Sequence, residues 1–398
     1  MITLAGLTRE ETKTFLELLA EIPDYRKGNA IKYRLDEILF VGIFAILCGA
    51  NTYTGMALFG ETHEEALRKY VELENGIPSH DVFGDIFSRV DIKAVEKCFL
   101  IFLQEYKKGK EKSDYVVAMD GKTVRKSGNR EHKAAHIETA YLSDLQLVLG
   151  QTATEEKSNE ITAIPQLLDM LELPKCTVTI DAMGTQTDIA EKIRTKGADY
   201  ILAVKDNQPT LAADIRLYAQ SDLLPQNKDE LKTVGRYACT VEKGHGRIET
   251  RECWLFDKVD WLNKDRNWKD LNGVAVLRSV RENAQNSEKS EAYRYFIFSH
   301  KDMTADRFLT LQRKHWAIEN NLHWSLDCCF HEDDMHVRLG HAAIVLNAIR
   351  KLCMQMLKAD KSVKDSLAEK RQRCAWVFEF ACSIIDNWLS IPVSVPIS

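Results

Sequence analysis

The stretch Tyr115-Val-Val-Ala-Met-Asp120-Gly-Lys-Thr123 decides the fold, because an apolar, β-branched run ends there in an acidic residue. Such a run predicts a buried strand, and the stretch Thr177-Val-Thr-Ile-Asp181 has the same form. Open α/β sheets place their functional side chains at strand ends. Asp120 and Asp181 are therefore candidate site residues, although each one alone is also compatible with a structural cap or turn.

Helices and strands alternate around these two runs. The sequence predicts strands at 115–119, within 136–151, at 177–180 and at 200–204, with helices near 159–172 and 187–196. This order predicts an α/β fold, a mixed sheet with helices packed on it. From about 206 to 300 the apolar pattern has a period of two, which predicts a β-rich insertion. A long helix capped by Thr304 is expected next, with one apolar face formed by Phe308, Leu311, His315, Ile318, Leu322 and Leu326.

The first 110 residues are predicted to be helical. A capping box at Thr8-Arg-Glu-Glu11 predicts the start of the first helix, and further helices are expected over 35–47 and from Ser79. The apolar run 38–50 is shorter than the roughly 20 residues that cross a bilayer, so it predicts a buried helix. The segment is either a DNA-binding module or a bundle that only packs on its neighbour.

The expected domain organisation has four parts. A charged stretch at 107–112 predicts a surface linker after the helical N-terminal domain, 1–110. The first part of the α/β core is expected over 111–206, the β-rich insertion over 207–302, and the C-terminal helical part of the core over 303–398.

Composition limits the function classes. The chain has 398 residues, 45% hydrophobic and 28% charged, with a formal net charge of −5. These values exclude a disordered chain and a uniformly basic nucleic-acid-binding coat, so any DNA-binding surface must be local. The ten cysteines form no C-x-x-C pair, which argues against a zinc ribbon or a disulfide framework. The N-terminus has no secretory pattern, so a cytoplasmic protein with no membrane partner is expected.

Glu319 is the third candidate acid, one residue past the apolar face of the last long helix. Two aspartates and a glutamate offer only oxygen ligands, which suit Mg²⁺ or Mn²⁺. Two such ions would activate a water or a 3′-hydroxyl in phosphodiester transfer. Zinc held by His315, Glu319 and His323 is a lower-ranked alternative, because the H-E-x-x-H spacing is absent. Asp327 and Glu332 are alternative third acids.

Basic residues occur where a DNA strand would need them. Lys122, Arg125 and Lys126 follow Asp120 directly and are predicted to neutralise phosphates. In the stretch His245-Gly-Arg-Ile-Glu-Thr-Arg251, Arg247 and Arg251 are expected on one face of a strand, although a simple hairpin explains the stretch as well. Between 350 and 373, eight Lys or Arg oppose three acids, which fits a DNA-binding face or a solvated helix face equally.

The combination of these motifs resembles one known family, the DDE transposases of bacterial insertion sequences, in the ISAs-type group with the H-repeat-associated proteins. The resemblance covers most of the chain and rests on six stretches: Ile77-Pro-Ser-His-Asp-Val-Phe83, Asp120-Gly-Lys-Thr-Val-Arg-Lys-Ser127, Thr179-Ile-Asp-Ala-Met183, the run 197–208, His245-Gly-Arg-Ile-Glu-Thr-Arg251 and His315-Trp-Ala-Ile-Glu-Asn320. It implies an RNase H-like catalytic core with a β-rich insertion before the last catalytic helix.

The resemblance also implies a function. Asp120, Asp181 and Glu319 match the three catalytic carboxylates, which would bind Mg²⁺ or Mn²⁺. Such enzymes cut double-stranded DNA at the element's ends and join the 3′-hydroxyls to target DNA. A homo-oligomer is expected, since two ends must be brought together.

One departure concerns the last helix. Related transposases carry a Tyr, Arg, Glu and Lys signature there, and the corresponding positions here are Gln312, His315, Glu319 and Leu326. Arg313, Lys314 and His315 are candidates to substitute for the missing contacts, and Arg313, His315 and His323 are the predicted DNA contacts on this helix. Two rival functions stay open: a metal-dependent nuclease that does not join strands, and a catalytically silent DNA-binding protein.

Overall fold

The structure, a computed structural model, describes residues 10–28, 31–107, 115–128, 133–154, 160–220, 227–244, 246–283 and 288–396. The α-helices in chain order are α1 (Phe15–Ala20), α2 (Leu35–Leu47), α3 (Tyr53–Leu67), α4 (His80–Arg89), α5 (Ile92–Lys107), α6 (Glu160–Asp169), α7 (Thr187–Thr195), α8 (Pro209–Gln220), α9 (Lys228–Thr233), α10 (Asp260–Asn263), α11 (Ala305–His315), α12 (Trp324–Cys328), α13 (Ala342–Ala359), α14 (Leu367–Trp376) and α15 (Phe378–Leu389). The strands are β1 (Glu10–Lys13), β2 (Val116–Thr123), β3 (His136–Leu142), β4 (Leu147–Thr154), β5 (Thr177–Ile180), β6 (Asp199–Val204), β7 (Tyr237–Gly244), β8 (Arg247–Phe256), β9 (Gly273–Asn283), β10 (Lys289–Phe298) and β11 (Val393–Pro396).

Nine strands form one mixed sheet in the order β4-β3-β2-β5-β6-β10-β9-β8-β7. The central strands β2, β5 and β6 are parallel, and the other neighbours are antiparallel. Residues 116–119 of β2 and all of β5 are buried, and β6 is buried except at Asp199 and Ala203, as expected for parallel strands covered on both faces. The five strands β4-β3-β2-β5-β6 have the order of an RNase H-like core, so the predicted fold class is confirmed.

The β-rich segment continues this sheet. Strand β10 pairs antiparallel with β6, and β9, β8 and β7 follow outward. The segment 207–302 therefore adds its strands to the edge of the core. The domain boundaries themselves stay a prediction.

The apolar helix α2 is the centre of the helical part. All of its residues except Asp36 are buried, which confirms the predicted buried helix. It contacts α1, α3 and α4 from the N-terminal region and α13, α14 and α15 from the C-terminal region. Buried residues of these helices and of the sheet belong to one continuous hydrophobic cluster. The N-terminal helices therefore share a core with the end of the chain.

The predicted start of the first helix is wrong. Residues 10–13 form β1, which pairs antiparallel with β11, and the helix begins at Phe15. Thr14 and Glu17 form the capping box, with the Thr14 amide donating to the Glu17 carboxylate at 2.6 Å. The same T-x-x-E pattern thus occurs six residues later, and the earlier copy lies partly outside the described residues.

The predicted long helix after Thr304 is interrupted. Thr304 caps α11 as expected, but α11 ends at His315. A π-helical turn, Ile318–His323, follows and leads into α12. The amide of Trp324 donates to the carbonyl of Glu319, five residues earlier, which defines this turn.

A search of the described helices finds none with the length and apolar character that a membrane span requires.

Replacing Phe44 tests the shared core. Phe44 is fully buried on α2 and its ring stacks on Phe378 of α15 at 5.4 Å between centroids. We expect Phe44→Ala to lower the free energy of unfolding by about 3–5 kcal/mol, through lost contacts and the cavity left behind. Leu58→Ala, at a side chain that is 62% exposed, is the control and changes it by less than about 0.5 kcal/mol. Urea unfolding followed by circular dichroism measures both. Separate unfolding of the N-terminal helices in Phe44→Ala would contradict a shared core.

Candidate active site

Strand pairing brings the two aspartates to one end of the sheet. Met119 of β2 lies opposite Ile180 of the parallel strand β5, so the next residue of each chain segment is an aspartate. Asp120 still belongs to β2, whereas Asp181 caps a short 3-10 turn and accepts a hydrogen bond from the Met183 amide at 2.9 Å. Both side chains line the same cleft.

The π turn brings Glu319 to this end of the sheet. Oxygens of Asp120 and Glu319 and a ring nitrogen of His323 all lie within 4.8 Å of one another. His323 Nδ1 is 3.4 Å from Glu319 Oε2 and 3.6 Å from Asp120 Oδ2. Carboxylates from a strand and a helical turn thus converge on one small volume, with an imidazole beside them.

The charges in this volume are strongly coupled. Burial raises the pKa of Asp120 to about 9, and the neighbouring Glu319 and Asp181 carboxylates contribute in the same direction. A hydrogen bond from His323 lowers the pKa of Glu319 to about 2, and a hydrogen bond with the Asp120 carboxyl acts on this pKa in the same direction. Two carboxylates with oxygens within 4.8 Å of each other, as in Asp120 and Glu319, repel unless a proton or a cation lies between them. The donor set of carboxylate oxygens fits a hard divalent cation.

His315 faces the sheet. Its Nδ1 is 2.9 Å from the Thr179 hydroxyl on β5, and burial lowers its pKa to about 4. The imidazole is therefore neutral at physiological pH and offers a hydrogen bond but no positive charge. Among the described residues, the ligand atoms that lie close enough to share a metal ion belong to Asp120, Glu319 and His323. The zinc alternative had His315 in place of Asp120.

Lys122 has other partners than the predicted phosphates. Its ammonium lies 2.7 Å from Asp327, 3.0 Å from Glu332 and 3.5 Å from Asp333, and its side chain is only 10% exposed. Three carboxylates thus pair with this charge in the structure, and a phosphate contact by Lys122 stays a prediction. The ion pairs also occupy Asp327 and Glu332, the alternative third acids.

Glu332 is fully buried and completes a network between β2 and α13. Its Oε1 accepts a hydrogen bond from Asn347 at 2.8 Å and lies 3.5 Å from Arg350. The pKa of Glu332 is lowered by Lys122 and Arg350 against the effect of its burial. The network anchors the segment after α12 to the strand that carries Asp120.

The other predicted DNA contacts are spread over the surface. Arg125 is 81% exposed and lies 3.3 Å from Asp333, and Lys126 lies 3.4 Å from Asp334. Arg247 is exposed, whereas Arg251 pairs with Glu242 at 2.9 Å and Glu249 at 2.7 Å. Arg313 pairs with Glu242, and His245 lies outside the described residues.

Sequence reasoning missed three cations in the cleft. The cleft has a volume of about 310 Å³ and is lined by Asp120, Asp181 and Glu319 together with Lys205, Arg216 and Arg294. The Arg294 guanidinium lies 5.0 Å from the Trp316 ring centroid, and that of Arg216 lies 5.6 Å from the Tyr295 ring. The alternation of aromatic and basic residues in Tyr293-Arg-Tyr295 is visible in the sequence. That Arg294 lies at the site follows only from the pairing of β10 with β6, which the sequence does not reveal.

An RNase H-like sheet with aspartates just beyond the paired stretches of β2 and β5 is typical of the DDE class, and comparison with known proteins agrees. The family described as "Transposase DDE domain" matches residues 111–356, and "DDE_Tnp_1-associated" matches residues 16–103. The chain therefore belongs to the DDE transposase family.

Two curated relatives come from Escherichia coli (strain K12). The "Putative protein YbfL" and the "H repeat-associated putative transposase YhhI" are each 37% identical over 94% of this chain and 98% of their own length. The resemblance to the H-repeat-associated group is thus confirmed. A solved structure, "Cryo-EM structure of piggyBac transposase synaptic complex with hairpin DNA (SNHP)", has a TM-score of 0.44 and 9% identity, covering 94% of this chain and 76% of the other.

Glu332 provides a test of the buried network. We expect Glu332→Gln to lower the free energy of unfolding by about 3–5 kcal/mol, because it leaves the buried Arg350 cation without its carboxylate partner and removes one of the three carboxylates around Lys122. Asp334→Asn, at an exposed carboxylate, is the matched control and costs less than about 1 kcal/mol. Chemical denaturation checks both values, and equal midpoints for the two variants would refute the structural role of Glu332.

Proposed function

We propose that this protein is a DNA transposase that binds the ends of its element, cuts them and joins them to target DNA. The observation that carries the proposal is the convergence of Asp120, Asp181 and Glu319 on one cleft from β2, β5 and the π turn. Membership in the DDE transposase family supports the same reaction class.

Asp120, Asp181 and Glu319 would hold the divalent metal, Mg²⁺ or Mn²⁺. The placement of these carboxylates in one cleft supports this assignment, because carboxylate oxygens are the ligands that suit these ions. When bound, such ions activate the attacking hydroxyl or water and stabilise the leaving oxygen of a phosphodiester.

The other cleft residues would bind the DNA. Lys205, Arg216 and Arg294 place positive charge beside the carboxylates, where a phosphate backbone must pass to reach them. Trp316 and Tyr293 are partly exposed in the same cleft and offer ring faces to bases or sugars. His315 is neutral and held by Thr179, so it would orient a polar group of the DNA by hydrogen bonding.

The proposed partners are double-stranded DNA, as element end and as target, and further copies of this chain. Two ends must be held together for coupled joining, so an oligomer is expected in the complex with DNA. The N-terminal helices share a core with the C-terminal helices. This favours a structural role in stabilising the catalytic unit, and it is compatible with an additional contact between these helices and DNA.

The function is tested with a labelled duplex that carries one element end, in Mg²⁺ or Mn²⁺. We expect the natural protein to cut and join it, and Asp120→Asn or Glu319→Gln to lose cleavage by on the order of 10³-fold while still binding the duplex. Asp334→Asn is the carboxylate control and retains cleavage. Cutting without joining would favour the nuclease. Binding without cutting by the natural protein would favour the silent DNA-binding protein.

The DNA path is tested by salt dependence. We expect Arg216→Ala to weaken binding of the same duplex and to reduce the slope of log K against log salt by about one, because one phosphate contact is lost. Lys264→Ala removes the same charge from an exposed residue away from the cleft lining and should leave the slope unchanged. Equal slopes in the two variants would place the DNA elsewhere.

A further inference from the structure

His323 is held directly against two of the proposed metal ligands. Its side chain is only 7% exposed, and Nδ1 faces Glu319 at 3.4 Å and Asp120 at 3.6 Å. Its other nitrogen, Nε2, is buried and has no hydrogen-bond partner in the described part of the chain. The contacts of Nδ1 with the carboxylates are therefore the polar interactions that orient this ring.

His323 follows Glu319 by four residues within the π turn. The turn spans Ile318–His323, so Glu319 and His323 lie in the same widened loop of helix, which packs against β2. A π turn inserted into a helix is frequent at functional sites. Here it places a carboxylate and an imidazole side by side towards Asp120.

The distances fit a shared ion. One ligand atom each from Asp120, Glu319 and His323 lies within 4.8 Å of the other two. Two ligands of one cation at roughly 2.0–2.4 Å each can be at most about twice that distance apart. The three atoms therefore lie within the span of a single coordination sphere.

We propose that His323 Nδ1 is a nitrogen ligand of the divalent metal held by Asp120 and Glu319, and that it shifts the site's preference from Mg²⁺ towards Mn²⁺. This inference rests on the proposed function. Carboxylates suit both ions, whereas imidazole suits transition metals and Mg²⁺ strongly prefers oxygen. His323 was predicted from the sequence to contact DNA, and its burial beside Asp120 and Glu319 favours the metal instead.

Pulsed electron paramagnetic resonance of the full-length protein loaded with Mn²⁺ alone tests the proposal. We expect a ¹⁴N coupling to Mn²⁺ that His323→Gln removes. His331→Gln, at a histidine ring that is 53% exposed, is the matched control and keeps the coupling. A ¹⁴N coupling that persists in His323→Gln would overturn the proposal.

Calorimetric titration with Mn²⁺ and with Mg²⁺ supplies the second readout. His323→Gln should weaken Mn²⁺ binding by about 10-fold or more and Mg²⁺ binding much less. His323→Asp, which replaces nitrogen by oxygen, should keep metal binding and lose the preference for Mn²⁺. Equal changes for the two ions in His323→Gln, with an unchanged preference in His323→Asp, would contradict the role in selectivity.

A third variant separates this inference from the proposed function. If Mn²⁺ still binds Asp120→Asn as tightly as it binds the natural protein, the proposed metal site itself is wrong. If Mn²⁺ binding needs Asp120 and the ¹⁴N coupling does not need His323, only the role of His323 is overturned. Unchanged unfolding midpoints identify the variants that remain folded.

Discussion

The concentration of negative charge at the ends of β2 and β5 is the constraint on which the rest of the structure depends. Two unit charges about 4 Å apart repel by roughly 4 kcal/mol at an effective dielectric of 20. The pKa of Asp120 is raised first by burial and then by the neighbouring Glu319 and Asp181 carboxylates. The fold must therefore hold Asp120, Asp181 and Glu319 together against their own charges, and a cation is the ligand that such an arrangement best binds.

Helix α13 provides much of that support, because two consecutive residues on it bind the strands around Asp120. Arg350 reaches Glu332, which holds Lys122 two residues beyond Asp120. Lys351 donates to the Thr139 hydroxyl at 2.7 Å and to Gln151 at 2.8 Å, and Thr139 lies opposite Asp120 in β3. Gln151 in turn donates to Glu96 of α5 at 3.1 Å. The N-terminal helices are thus coupled to β2 through a chain of polar contacts as well as through the apolar contacts of α2.

The sequence predicted those features that depend on neighbouring residues, namely the bounds of some helices and strands and the residues that cap helices. Strand β5 and helix α2 have the predicted bounds, and Thr304 and Ser79 stand at the starts of their helices. Local patterns do not identify long-range partners. β1 is a strand because β11, near the far end of the chain, pairs with it, and Lys122 is largely covered because carboxylates some two hundred residues later surround it. The π turn was missed because its apolar residues, Ile318 and Leu322, keep helical spacing. The stretch 350–373 was expected to form a solvated or a DNA-binding face. Four of its basic residues are buried instead: Arg350, Lys351, Lys370 and Arg371.

On this interpretation, β2, the residue after β5 and the π turn build one divalent-metal site. Anomalous diffraction from crystals of the natural protein grown with Mn²⁺ tests it most directly. We expect a Mn²⁺ peak within roughly 2.0–2.6 Å of carboxylate oxygens of Asp120 and of at least one of Asp181 and Glu319. A peak only at Asp327, Asp333 or Asp334, or none at Asp120 at saturating Mn²⁺, would contradict it.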